Sequence, residues 1–239
     1  MRIDKDSWLL TKPIAHRGLW GESVPENSTL AYERAAEKKI PIEIDIHLTS
    51  DGNLVSFHDD NLLRMTGKDS LIWNKSLSEL KALRLNGTNY TIPTLNEVLE
   101  IAKGKSPILV EFKNQPSKEF LEKAINVLKE YKGEFAVQSF NPFYIIKTKK
   151  LAPHFIRGVL TDPNTEITKK TTRWAISKMP FNFLAKPDFI SCNFNSLPLP
   201  QKKVKDKALL AWTLTSKEDY EKIKDKCDNI IYELFTPTL

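Results

Sequence analysis

Cysteine is scarce: Cys192 and Cys227 are the only two in 239 residues, with no metal-ligand spacing. That excludes a disulfide-stapled scaffold and a thiolate zinc site, and both thiols are expected to be reduced and structural. No long apolar run is present, and `MRIDKDSWLLTKP` lacks the charged-then-apolar pattern of a leader. The expectation is a cytoplasmic protein with no integral membrane segment. Low-complexity stretches and internal repeats are missing too, and no Gly-rich nucleotide fingerprint follows the first strand candidate. What remains is a globular composition, 41% hydrophobic and 28% charged, with a formal net charge of +6. A mild lysine excess of this kind is most simply a solvated surface, although it also suits anionic partners such as phosphates or acidic membrane faces.

Short β-branched runs alternate with longer amphipathic stretches. The strand candidates are residues 13–16, 42–47, 107–112, 135–139, 155–160, 188–192, 208–214 and 229–233. Helical periodicity is expected at about 27–39, 94–103, 117–131, 141–150, 165–178 and 216–227, the last opened by a capping box from Ser216 to Asp219. Residues 48–93 break the rhythm with a hairpin-like `DGNLVSFHDD`, then `SLSELKALRL` and `NYTIPTLNEV`, too much for an ordinary connection. Eight strand–helix units in one domain, residues 1–239, point to an α/β (β/α)8 TIM barrel with an insertion at about 48–93 after the second strand. An open doubly wound sheet has fewer strands.

In such a barrel the chemistry collects at the C-terminal ends of the strands. There the sequence places His16 and Arg17 after strand 1, Glu43 and Asp45 on strand 2, Glu111 and Lys113 on strand 3 and Trp212 on strand 7, with His58 and Asp59 in the insertion. Residues two apart on a strand share a face, so Glu43 joins Asp45 and Glu111 joins Lys113. Three carboxylates in one cup repel unless a hard, oxygen-seeking cation, Mg²⁺ or Ca²⁺, bridges them.

These residues sit in a set of motifs: `HRG`, `PENS`, `EIDIHLTSDGNLVSFHDD`, `PTLNEVL`, `EFK`, `QSF` and `WTL`. Together they resemble the glycerophosphodiester phosphodiesterase family over nearly the whole chain, most densely from 14 to 66. The resemblance implies a barrel enzyme that converts glycerophosphodiesters to glycerol 3-phosphate and an alcohol with a divalent metal. By that likeness Glu43, Asp45 and Glu111 are metal ligands, His16 and His58 the general acid and base, and Arg17 and Lys113 the phosphate clamps, with Glu26 and Asn27 bordering the site. Trp212 either lines the substrate pocket or is ordinary core. Attack by a neighbouring glycerol hydroxyl and attack by water both remain open. The chain departs from the family pattern at Ser28 and where strand 8 ends in Ile231-Tyr232-Glu233, while Trp20 adds a bulky wall to the first loop.

Three other readings stand beside this one. A phospholipase D-like enzyme acting on lysophospholipid or sphingolipid diesters would keep the site and open an apolar groove beside Trp20. A silent phosphate-binding barrel would have lost part of the carboxylate set, which is complete here. Nucleic-acid binding would need a contiguous basic face with interleaved aromatics, and `YIIKTKK` does not interleave them. His47 and His154 are expected to be structural.

Overall fold

A computed structural model describes residues 3–163, 174 and 178–237. Its strands are β1 (Ile14–Ala15), β2 (Ile42–Leu48), β3 (Leu54–Ser56), β4 (Ile108–Phe112), β5 (Phe135–Ser139), β6 (Arg157–Thr161), β7 (Phe189–Asn193), β8 (Ala208–Leu214) and β9 (Asn229–Tyr232). Its helices are α1 (Trp8–Thr11), α2 (Thr29–Glu37), α3 (Leu63–Thr66), α4 (Leu77–Ala82), α5 (Leu95–Ala102), α6 (Phe120–Glu130), α7 (Pro142–Leu151), α8 (Asn182–Ala185), α9 (Gln201–Val204) and α10 (Lys217–Ile223). All eight expected strands form, β3 is an added antiparallel strand, and the fold is the (β/α)8 barrel that the alternation implies. The helix expected at 165–178 falls outside the described residues except for Trp174 and Lys178. No helix among the described residues is long and apolar enough to cross a membrane.

Contacts divide the chain into two compact units, Ala15–Phe135 and Met1–Ile14 with Ala136–Leu239. In the first, β2 pairs in parallel with β1 through Ala15 and Ile42, and with β4 from Ile42↔Ile108 to Ile46↔Phe112. Beyond that, β2 turns back on β3 in an antiparallel hairpin from Ile46↔Ser56 to Leu48↔Leu54. Every residue of β2 is buried, which is why both faces of `IEIDIHL` needed explaining: Ile42, Ile44 and Ile46 fill one face, and Glu43, Asp45 and His47 occupy the other.

Helix starts in this unit follow the local chemistry of caps. Ser28 Oγ accepts the Ala31 N–H to open α2, and Ser76–Glu79 and Thr94–Glu97 form reciprocal capping boxes that open α4 and α5. Helix α5 buries Leu95, Val98, Leu99 and Ala102, one stripe at helical spacing. The insertion is no loose loop, because Val55, Phe57, Leu62, Met65, Ile72, Leu80, Leu85 and Ile92 give it a core of its own.

In the second unit β5 through β9 run as a continuous parallel ladder. Both thiols lie here unpaired; burial pushes each up to about 12, which leaves them un-ionised at neutral pH. Ser216 caps α10 by accepting from the Asp219 N–H at 3.1 Å. Gly158 on β6 leaves room for the Phe189 ring across the ladder, and a Cβ there would collide with it. Gly158→Ala is therefore expected to cost about 1–3 kcal/mol by overpacking. Urea denaturation should show part of that loss recovered when Phe189→Leu is added, and strict additivity of the two changes would refute the collision.

Candidate functional site

The loop that leaves β1 is shaped by left-handed backbone. Arg17, Gly18 and Asn27 have φ of 57°, 85° and 53°. Only glycine suits position 18, since a Cβ would come within 2.8 Å of the Ala31 backbone. The tight approach lets Leu19 N–H donate to Ala31 O at 2.9 Å. It also brings Asn27 N–H onto Arg17 O at 3.1 Å, so `HRG` and `PEN` hold each other although six residues separate Gly18 from Pro25. Trp20 Nε1 donates to the His16 carbonyl at 3.0 Å, which fixes the indole over the loop.

The parallel register sets Asp45 opposite Glu111. Glu43, Asp45 and Glu111 are all buried, and each offers a carboxylate oxygen within 4.8 Å of the others. Two cations enter the cluster: Lys113 Nζ lies 3.0 Å from Glu111 Oε1 and 3.4 Å from Asp45 Oδ1, and Arg17 Nε lies 3.6 Å from Asp45 Oδ2. Arg17 also donates its backbone N–H to Glu43 Oε2 at 3.1 Å. Asn27 Nδ2 donates to Asp45 Oδ2 at 3.1 Å, while its own Oδ1 accepts from Tyr32 Oη at 2.6 Å.

Burial and the charges of Asp45 and Glu111 push Glu43 well above the usual carboxylate range. Burial acts on Asp45 in the same direction, but Lys113, His58, Arg17 and His16 outweigh it and hold Asp45 well below that range. Lys113 is raised despite its burial because Glu111 and Asp45 surround it. One oxygen, Asp45 Oδ1, is buried and accepts no hydrogen bond. An all-oxygen donor set with an unsatisfied buried carboxylate oxygen fits a hard divalent cation such as Mg²⁺ or Ca²⁺.

A second chain of contacts reaches from the insertion to the β1 loop. His58 Nδ1 meets Asp59 Oδ1 at 2.6 Å. Asp59 takes Arg64 Nε and Nη2 at 2.6 and 3.1 Å, and Arg64 Nη2 and Nη1 bond Glu26 at 2.6 and 3.1 Å. Glu26 then accepts Arg17 Nη1 at 2.7 Å. Glu26 and Asp59 raise Arg64 above its ordinary value, and His58 with Arg64 holds Asp59 well below its own against the pull of burial.

Of the expected site residues, His16, Arg17, Glu43, Asp45, His58, Glu111 and Lys113 all belong to the first unit, and the charges of His16 and His58 both bear on Asp45. Trp212 belongs to the second, where its ring meets Phe140 edge-on at 5.6 Å. His47 is buried against the Trp73 ring, with Nε2 3.5 Å from His58 O, and burial lowers it to about 4. That burial favours its neutral form. Arg64 escaped the sequence reading: a single arginine in `LLRMTG` carries no periodic or charge signal, and only the folded insertion turns it toward Glu26.

Residues 16–233 match the model of the glycerophosphoryl diester phosphodiesterase family. Over 239 aligned residues the chain is 35% identical to a protein of Caldanaerobacter subterraneus subsp. tengcongensis named glycerophosphodiester phosphodiesterase, covering 92% of this chain and 93% of that one. A lysophospholipase D of Rattus norvegicus is 32% identical over 143 residues, 54% of this chain and 45% of the relative. Among solved structures, an Oleispira antarctica phosphodiesterase in complex with the product sn-glycerol-3-phosphate superposes with a TM-score of 0.79 at 26% identity, covering 94% of this chain and 93% of that one.

Arg64 provides a test of this geometry. Arg64→Met should destabilise the fold by about 1 kcal/mol, the low end for charge-assisted bonds because the guanidinium is half-exposed. Asp59 and Glu26 are both held below their unfolded values, so their contribution is present above the ordinary carboxylate range and lost as the pH falls through their folded values. The Arg64→Met penalty should accordingly shrink in acid. A penalty that is the same at pH 7 and in acid, by chemical denaturation, would contradict the ion-pair chain.

Proposed function

The chain belongs to the glycerophosphoryl diester phosphodiesterase family, and from that premise we propose that it hydrolyses glycerophosphodiesters to glycerol 3-phosphate and an alcohol, with Mg²⁺ or Ca²⁺ held by Glu43, Asp45 and Glu111. The observation that carries the reading is the buried carboxylate trio with its unsatisfied Asp45 oxygen, flanked by Arg17 and Lys113. When bound, the cation supplies positive charge to the phosphoryl oxygens as a Lewis acid.

The remaining roles fall to the chain's own side chains. Arg17 is held by Glu26 through Nη1 and lies with Nε 3.6 Å from Asp45 Oδ2, which sets its guanidinium beside the carboxylates as a clamp for a phosphate oxygen. Lys113 adds a point charge on the other side of Asp45. Charge that builds on the equatorial oxygens during attack is thereby stabilised more than that of the resting diester. His58, donating from Nδ1 to Asp59, presents Nε2 for proton transfer. His58 and His16 divide the two transfers, one removing the proton of the attacking water, or of a glycerol hydroxyl whose cyclic phosphate water then opens, and the other protonating the departing alkoxide. The two free thiols suit a reducing cytoplasm, where we place the protein.

A cavity of about 100 Å³ lies beside the β1 loop, lined among others by Trp20, Glu22, Val24, Glu26, Asn86 and Thr88.

The test is glycerol 3-phosphate release from a panel of glycerophosphodiesters, with EDTA and with each metal restored. Activity should vanish with chelator and return with Mg²⁺ or Ca²⁺; full activity in EDTA would remove the metal role. His16→Ala and His58→Ala should each lower kcat by about 10²–10⁴-fold. Wild-type rates in either variant would reassign the acid and base, and lysolipid turnover without glycerophosphodiester turnover would favour the phospholipase D-like reading.

A further inference from the structure

A group of large apolar side chains in the second unit stands in solvent. Phe143 is 58% exposed, Trp174 52%, Phe183 71% and Leu184 44%. They are contiguous: the Phe181 ring lies 4.9 Å from Phe143 and 6.5 Å from Trp174, helices α7 and α8 pack together, and Lys149 Nζ donates to Leu184 O at 2.8 Å. An aromatic cluster this open marks a surface for a partner.

The charge around it identifies the partner's chemistry. Residues 141–151 and 167–186 hold eight of the 36 Lys and Arg and none of the 30 Asp and Glu, so the rest of the chain, with 28 against 30, is net negative. The basic character of the protein is therefore concentrated in the segments that carry the exposed aromatics. Like charge is crowded there as well: Lys149 is lowered by desolvation and by Lys186, Arg157 and Lys150. An anionic surface would relieve that repulsion.

We propose that the Phe143–Trp174–Phe183–Leu184 patch, with its surrounding lysines, docks this protein peripherally on an anionic lipid bilayer. Tryptophan and phenylalanine settle at the level of lipid headgroups, and leucine gains by entering the acyl boundary. Lysines at the rim reach acidic headgroups while their stems stay against apolar surface. A second copy of the chain fits poorly, because a two-fold contact would press the same lysines together. Nucleic acid would satisfy the lysines but gain nothing from Leu184. The inference does not depend on the catalytic assignment.

The experiment is co-sedimentation of the full chain with vesicles of phosphatidylcholine containing phosphatidylglycerol, and with phosphatidylcholine alone, at low and raised salt. Binding is expected only to the anionic vesicles, and should weaken with salt. Phe143→Ser with Phe183→Ser, and separately Lys150→Glu with Lys178→Glu, should each weaken it by about tenfold or more. These side chains are exposed, so the unfolding midpoint and turnover of a soluble glycerophosphodiester should stay at wild-type values, which separates lost docking from lost fold. The proposal is overturned by no sedimentation at low salt, by equal binding to neutral vesicles, or by variants that bind as the wild type does. Concentration-dependent dimers abolished by the serine pair, or vesicle binding displaced by duplex DNA, would overturn it in favour of those partners.

Discussion

The structure of the first unit turns on the cost of burying three carboxylates side by side. Glu43, Asp45 and Glu111 have left water on strands whose other faces are apolar, and each needs a compensating charge or donor. Lys113 and Arg17 compensate part of it, with Asn27 adding a neutral donor. Arg17, Arg64 and Lys113 pair with Glu26, Asp45, Asp59 and Glu111, with His58 beside Asp59, while Glu43 is a fifth carboxylate that, among the described residues, takes only the Arg17 backbone N–H. Three cations against five carboxylates leave a deficit that one divalent cation would close. The same deficit explains why Glu43 is driven toward protonation while Asp45, nearer the cations, is not.

This electrostatic demand accounts for backbone features that otherwise look costly. Left-handed residues 17 and 27 are unfavourable for side chains with a Cβ, yet they turn the Arg17 N–H onto Glu43 and the Asn27 amide onto Asp45. Gly18 then lets the loop press against α2. The insertion meets the same demand from the other side, and it can do so because its own apolar core fixes where Arg64 and His58 project. A hydrogen bond of 2.6 Å between His58 and Asp59 is useful only if Asp59 is itself held, which the Arg64 fork does.

Much of this was legible in the sequence, for definable reasons. The strands were readable because parallel strands buried on both faces write themselves as unbroken β-branched runs, and carboxylates inside such a run, as at Glu43 and Asp45, demand a partner, whether a basic side chain or a metal. The Glu111–Lys113 pairing followed from strand alternation alone. Arg64 was not legible, because its role depends on α3 being set against Glu26, 38 residues earlier in the chain. Trp212 marks another limit: its position on β8 was foreseen, but a tryptophan in an apolar strand has the same sequence signature whether it packs a core or lines a pocket. The internal core of residues 48–93 was likewise invisible, since its apolar residues follow no single period across short helices, 3₁₀ turns and the β3 strand.

Charge is also segregated along the chain in a way that bulk composition hides. A net charge of +6 would suggest a protein basic throughout, but the site is rich in carboxylates and the positive excess lies in two carboxylate-free segments of the second unit. Among the described residues, the lysines of those segments enter no ion pair with Glu43, Asp45 or Glu111. Like charges held together around apolar surface are unfavourable in water on both counts, and the arrangement becomes favourable only against a surface that is at once anionic and apolar beneath.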